Sequence, residues 1–131
     1  MVPELTVESV EASLRFYSAA GFRVRFRRST PEFAYIELGG AQLMLEQDHP
    51  EGWRIGQLER PLGRGVTFQV EVPSVSSCAD AVRAAGFPLF REPAESWHET
   101  AAGSKAGQME FLAQDPDGYL MRFVEVLGSR R

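Results

Sequence analysis

Apolar and polar positions along this chain follow two periods, and the same succession of periods occurs twice. Pro3, Leu5 and Val7 alternate with Glu4 and Thr6, the two-residue repeat of a strand over about 2–8. Val10, Leu14 and Tyr17 then recur at helical spacing. Ser9 precedes this stripe, and its hydroxyl suits an N-cap. Gly21 follows it, and a glycine accepts the left-handed conformation that ends a helix. Strand-like runs come next at about 22–28, 32–38 and 41–47, with Gly39-Gly40 predicting a hairpin turn.

An offset of 65 residues lays the second half on the first. Residues 6–22, TVESVEASLRFYSAAGF, fall on 71–87, EVPSVSSCADAVRAAGF, and seven of the 17 positions are identical. Ser74 is the second N-cap, Val75, Ala79 and Val82 the second stripe, and Gly86 the second stop. Strand-like runs over about 66–72, 87–92, 107–114 and 119–125 complete the copy, and Asp115-Pro116-Asp117-Gly118 predicts the turn between the last two. The pattern predicts an α+β fold: two βαβββ modules, at about 1–48 and 65–126, making one domain over 1–131. Their sheets are expected to curve around a cavity. Residues 49–64 read as a linker, and 91–106, rich in Pro, Gly and charge, as a loop or irregular edge.

Alternation also sorts each strand into two faces. Leu5, Val7, Ala34, Ile36, Leu43, Leu45, Phe68, Val70, Phe111 and Ala113 belong to the side that packs beneath the helices. The opposite side carries Glu4, Thr6, Phe33, Tyr35, Glu37, Gln42, Met44, Glu46, Thr67, Gln69, Glu71, Gln108, Glu110 and Leu112. The wet side of an ordinary antiparallel sheet shows the same alternation. Against that reading, Phe33, Tyr35, Met44 and Leu112 are poor choices for a face seen only by water. Aromatics beside carboxylates on a curved sheet make up a small-molecule cavity. So many carboxylates need counter-charge, from Arg122 and from a cationic ligand.

Composition narrows the partners. In 131 residues, 44% are hydrophobic and 24% charged, the mix of a folded domain. A net charge of −4 argues against nucleic acid, whose phosphates select basic surfaces. No apolar run is long enough to span a bilayer, and MVPELTVESV does not read as a signal peptide, so the expected location is cytoplasmic. Cys78 is the only cysteine, which excludes an intrachain disulfide, and its place on the second helix suits a packed residue rather than a nucleophile. The serines lack an apparent histidine partner, and no glycine-rich phosphate loop is present.

The paired modules, the opening VPELTVESVEASLRFYSAAGF and the closing FLAQDPDGYLMRFVE resemble the vicinal-oxygen-chelate superfamily, in particular its glyoxalase/bleomycin resistance protein branch. The resemblance covers nearly the whole chain. It is specific for fold rather than activity, because the superfamily holds metal-dependent enzymes and metal-free antibiotic-binding proteins alike. Its metal enzymes draw His, Gln or Glu ligands from four strands, and the matching positions here are Val2, Met44, Thr67 and Arg122. None of the four is a ligand for Zn, Fe or Mn, and an arginine repels the cation. His49 and His98 fall outside the expected strands, in loops. No metal and no cofactor are therefore expected, and no catalytic residue is assigned.

By the same resemblance, the chain is expected to be a homodimeric binding protein that sequesters a cationic aromatic drug or metabolite, bleomycin-like among them. The expected ligand-binding set is Phe33, Tyr35, Met44, Glu46, Trp53, Thr67, Gln69, Trp97, Glu110 and Arg122, with Pro3 at the position where relatives exchange N-terminal arms. The Trp-Gly that many relatives carry before the DPDG turn is replaced by Ala106-Gly107 or Gly107-Gln108. The alternative function is an enzyme of the same superfamily, metal-dependent or not, acting on a small metabolite.

Overall fold

A computed structural model of the chain describes residues 1–101 and 103–130. The elements run β1 (Glu4–Val7), α1 (Val10–Ala20), β2 (Arg23–Arg28), β3 (Phe33–Leu38), β4 (Ala41–Gln47), β5 (Thr67–Glu71), α2 (Val75–Ala84), β6 (Arg91–Ala101), β7 (Ser104–Gln114) and β8 (Leu120–Arg130). They form two four-stranded sheets, ordered β1-β4-β3-β2 and β5-β8-β7-β6. In each, the first strand lies parallel to the last and the other pairs are antiparallel.

The repeat reaches individual hydrogen bonds. Ser9 Oγ accepts from Ala12 N, and 65 residues on Ser74 Oγ accepts from Ser77 N, both at 3.2 Å. Phe22 N donates to Tyr17 O across the glycine stop, as Phe87 N does to Val82 O. The first helical N–H of each helix is taken by a side chain from the module's last strand: Val10 N by Gln47 Oε1 at 3.1 Å and Val75 N by Glu125 Oε1 at 2.9 Å. A helix start leaves such donors orphaned, so each module caps its helix with its own sheet.

The helices pack against each other and against their sheets, so both modules share one core. Phe16 sits edge-on to Tyr17 at 5.0 Å and to Phe87 at 5.2 Å, an arrangement that suits the ring quadrupoles. Cys78 lies in this seam, 7% exposed, with Sγ 3.3 Å from the Ala20 carbonyl oxygen. Burial pushes its thiol up to about 11, so little thiolate exists near neutrality. Native protein is expected to resist iodoacetamide at about pH 8 and to be alkylated rapidly once urea is added, followed by intact mass. Fast alkylation without denaturant would show that the seam opens.

Around the DPDG turn the modules are tied by polar groups. Asp115 and Asp117 are 4% and 3% exposed. Asp115 Oδ1 accepts from Asp117 N and Tyr119 N, each at 2.9 Å, and its Oδ2 accepts from the buried Tyr17 hydroxyl of the other module at 2.8 Å. Asp117 Oδ1 accepts from Glu8 N and from Arg60 of the linker, both at 2.9 Å. Tyr119 donates its hydroxyl to the Thr6 carbonyl at 2.9 Å.

Two expectations are corrected. Residues 91–106 are the irregular edge rather than a loop, most of them forming the edge strand β6 and the start of β7, whereas the strand expected at 87–92 begins only at Arg91. Pro93 is tolerated because β6 is an edge strand whose register shifts between Arg91 and Ala94. Nor do the two sheets close around a cavity within one chain. Their helix-covered sides meet in the common core, and the other face of each sheet remains open. Among the described residues no helix is long and apolar enough to cross a membrane.

Candidate functional site

On the open face of the first sheet, strand register lines up two rungs. Glu4, Met44, Tyr35 and Phe26 form one; Thr6, Glu46, Phe33 and Arg28 form the other. A bulge in β2 between Val24 and Phe26 makes this possible, because one extra residue moves Phe26 and Arg28 onto the open side while Val24 stays opposite Ile36. Phe26 stacks on Tyr35 at 5.2 Å and on Phe33 at 6.0 Å. The Arg28 guanidinium lies 4.2 Å above the Phe33 ring, and that of Arg25 lies 5.2 Å from Tyr35. Phe33 is therefore only 2% exposed although it faces away from the core. Tyr35 and Met44 are partly exposed, and the Tyr35 hydroxyl donates to Gln42 Oε1 at 2.6 Å.

Counter-charge for this acidic face comes largely from the chain itself. Arg23 pairs with Glu37 at 2.6 Å and Arg25 with the same carboxylate at 3.7 Å. Glu46 Oε2 is 3.2 Å from His49 Nε2. Glu4 is exposed. Next to these groups a hollow of about 390 Å³ is lined by Glu4, Arg28, Glu46, His49, Glu51 and Trp53. The Trp53 indole, 92% exposed, stands at its rim on the linker.

The second sheet's open face is different. Its rungs are Gln69, Arg122, Leu112 and Arg91, then Glu71, Val124, Glu110 and Ala94. Arg122 Nε lies 2.5 Å from Glu110 Oε2, and Gln108 Nε2 donates to the same oxygen at 3.0 Å. Burial acts to raise the Glu110 carboxyl, but the Arg122 guanidinium and the Gln108 amide more than offset it and hold the carboxyl below its ordinary range. At one end of this face, Val66, Thr67, Phe90, Gln114 and Leu120 line a second hollow of about 390 Å³.

The structure thus brings Phe33, Tyr35, Met44 and Glu46 together on one face, with Trp53 at its edge, and Thr67, Gln69, Glu110 and Arg122 on the other. It does not bring Trp97 to either. Trp97 pairs with Gly107 and projects from the reverse side of β6, where a Cβ on Gly107 would lie 2.5 Å from the indole. Arg130 covers the ring at 3.8 Å. The glycine and the arginine hold Trp97 as packing. His98, expected in a loop, stands on β6 beside Ser96 Oγ at 3.2 Å. Pro3 is tied to its own chain, its carbonyl accepting from Met44 N at 2.9 Å. Sequence reasoning missed Phe26, Arg25 and Arg28, whose placement depends on the bulge; an RVRFRR strand opposite two aromatics was the available signal.

Val2, Met44, Thr67 and Arg122 offer no imidazole or carboxylate, and Arg122 is committed to Glu110. Among the described residues no three His, Cys, Asp or Glu side chains converge as a metal-binding group. The donor set does not fit a divalent metal at those positions.

Comparison with known proteins gives a consistent fold. The sequence model of the Glyoxalase/Bleomycin resistance protein/Dioxygenase superfamily matches residues 2–123. Among solved structures, TioX from Micromonospora sp. ML1 is 20% identical, with 97% of this chain and 98% of that one covered and a TM-score of 0.66. An integron cassette protein from the mobile metagenome of V. cholerae is 22% identical over 95% of this chain and 91% of that one, TM-score 0.66. A bleomycin-binding protein complexed with bleomycin is 19% identical over 95% and 96%, TM-score 0.56. None of the curated proteins matches the chain.

Proposed function

The chain belongs to the glyoxalase/bleomycin resistance protein/dioxygenase superfamily, and from that premise we propose that it is a cytoplasmic small-molecule binding protein, holding a flat, positively charged drug or metabolite of the bleomycin kind on the open face of its first module without a metal. The observation that carries this reading is the hollow where three carboxylates, Glu4, Glu46 and Glu51, meet the Trp53 indole beside the Tyr35–Phe26–Phe33 stack. Carboxylates in a partly desolvated hollow attract a cation, and exposed rings gain by stacking on a flat body. A related fold in complex with bleomycin supports the ligand class. A second copy of the chain completes the site in this reading, because one chain leaves both open faces uncovered.

Titration calorimetry with metal-free bleomycin tests it, alongside sedimentation equilibrium. Saturable heat and a dimer mass are expected, with Glu46→Gln weakening affinity about tenfold, the usual worth of one charge-assisted contact. No heat at high micromolar drug removes bleomycin from the reading. The alternative, an enzyme of the same superfamily, draws on Glu46 and His49 lying 3.2 Å apart. Stoichiometric Zn, Fe or Mn in chelator-free protein, lost in Glu46→Gln, would favour that enzyme.

A further inference from the structure

The hollow of the first module is not uniformly acidic. Of the four β2 arginines, Arg23 and Arg25 are paired with Glu37, and Arg27 with Glu11 and Glu32. Arg28 alone among them has no carboxylate within salt-bridge distance among the described residues, and it alone lines the hollow. Its guanidinium carbon lies 4.2 Å from the centre of the Phe33 ring. A ring contact of this kind engages the face of a guanidinium and leaves the N–H donors at its edge for another partner. An unpaired arginine so held is prepared for a planar, two-oxygen acceptor.

The opposite wall carries the contrary charge. Register places Glu46 directly beside Phe33 and Phe33 directly beside Arg28, so Glu46 and Arg28 stand two strand spacings apart, about 10 Å between backbones. Both line the one hollow, yet they make no ion pair with each other. Phe33 lies beneath Arg28 between the two strands, and the hollow is edged by Trp53. A ligand that is only cationic satisfies the Glu4–Glu46 wall and sets its charge against Arg28.

Deepening the reading of this site given above, on which the inference rests, we propose that the ligand is an aromatic zwitterion: a flat ring bearing an ammonium that meets Glu46 and Glu4, and a carboxylate that Arg28 grips. Arg28 is then the residue that selects this class over plain cations.

Three probes of one shape separate the contributions: 4-(aminomethyl)benzoate with both charges, benzylamine with the cation, and benzoate with the anion. Binding is measured by calorimetry or Trp53 fluorescence at millimolar concentrations. The zwitterion is expected to bind about tenfold more tightly than either single-charge probe. Arg28→Gln should remove the zwitterion's advantage over benzylamine, while benzylamine itself, relieved of the like charge, binds at least as tightly as before. Arg28→Lys, which keeps the charge without the planar fork, should fall between, and unchanged thermal melting of both variants shows that the fold is kept. Equal binding of benzylamine, or a zwitterion indifferent to Arg28→Gln, overturns the inference while the cationic-ligand reading stands. If no probe binds but bleomycin does, the inference again falls alone. If nothing binds, both fall.

Discussion

Asp115→Ala is expected to cost about 4 kcal/mol or more, enough to leave the chain largely unfolded at 37 °C. The mutation strips the acceptor from two buried backbone donors, Asp117 N and Tyr119 N, and leaves the Tyr17 hydroxyl only the weak Met121 sulfur at 3.8 Å. Each orphaned group costs about 1–3 kcal/mol. Asp115→Asn should behave quite differently. Its Oδ1 still accepts both backbone N–H groups, its amide donates to the Tyr17 oxygen, and the Tyr17 proton turns to Met121 Sδ, already 3.8 Å away. Burial, working against these hydrogen bonds, lifts the Asp115 carboxyl from its ordinary 3.8 to about 6. With the folded value above the unfolded one, the cost of burying the charge is present in full above about pH 6 and disappears as pH falls toward 3.8. Wild type should thus gain stability relative to Asp115→Asn, by about 3 kcal/mol in total, between about pH 7 and about pH 4. Urea unfolding of both proteins over that range reads the difference, in which carboxylates that do not interact with Asp115 cancel. A constant difference would show that folding does not shift the Asp115 carboxyl.

How far this could be foreseen varies by element. β4 was legible to the residue, at 41–47, and both helices appear with the caps and stops read from Ser9, Gly21, Ser74 and Gly86, since these signals are local. The β6–β7 hairpin was not. The Pro, Gly and charge in 91–106 spell a loop or irregular edge when read alone, and only pairing with β7 over Glu95–Glu99 turns it into a strand. The DPDG turn was legible as a turn, but not as the polar tie between modules, because its partners Tyr17 and Glu8 lie about a hundred residues away, with |i−j| of 98 and 109. At the candidate site, alternation placed Tyr35, Met44 and Glu46 on one face. It could not find Phe26 and Arg28 there, because a one-residue bulge reverses the parity of everything beyond it. The side taken by Trp97 was not legible for a related reason: nothing in the composition of its segment says which face of the strand an indole occupies.

The second large effect lies at Gly118. Gly118→Ala is expected to destabilise the protein by about 3–4 kcal/mol and to lower its melting temperature by about 10 °C. The residue sits at φ +103°, where a side chain is strained, and a Cβ there would come within 2.4 Å of Pro61 Cβ and 2.8 Å of its Cα. Left-handed backbone costs a non-glycine residue about 1–2 kcal/mol, and overpacking adds about 1–3. Relief requires the Pro61–Leu62 segment to move, which breaks the 2.9 Å bond from Leu62 N to Asp117 O and loosens Arg60 from Asp117. That segment is the far end of the linker that carries Trp53 and Glu51 to the hollow. Calorimetric melting measures the stability loss, and ligand titration should show a weakened site although Gly118 lines only the second hollow. A variant that melts normally would mean that the linker yields at no cost, and that its path sets neither the stability of the chain nor the shape of the site.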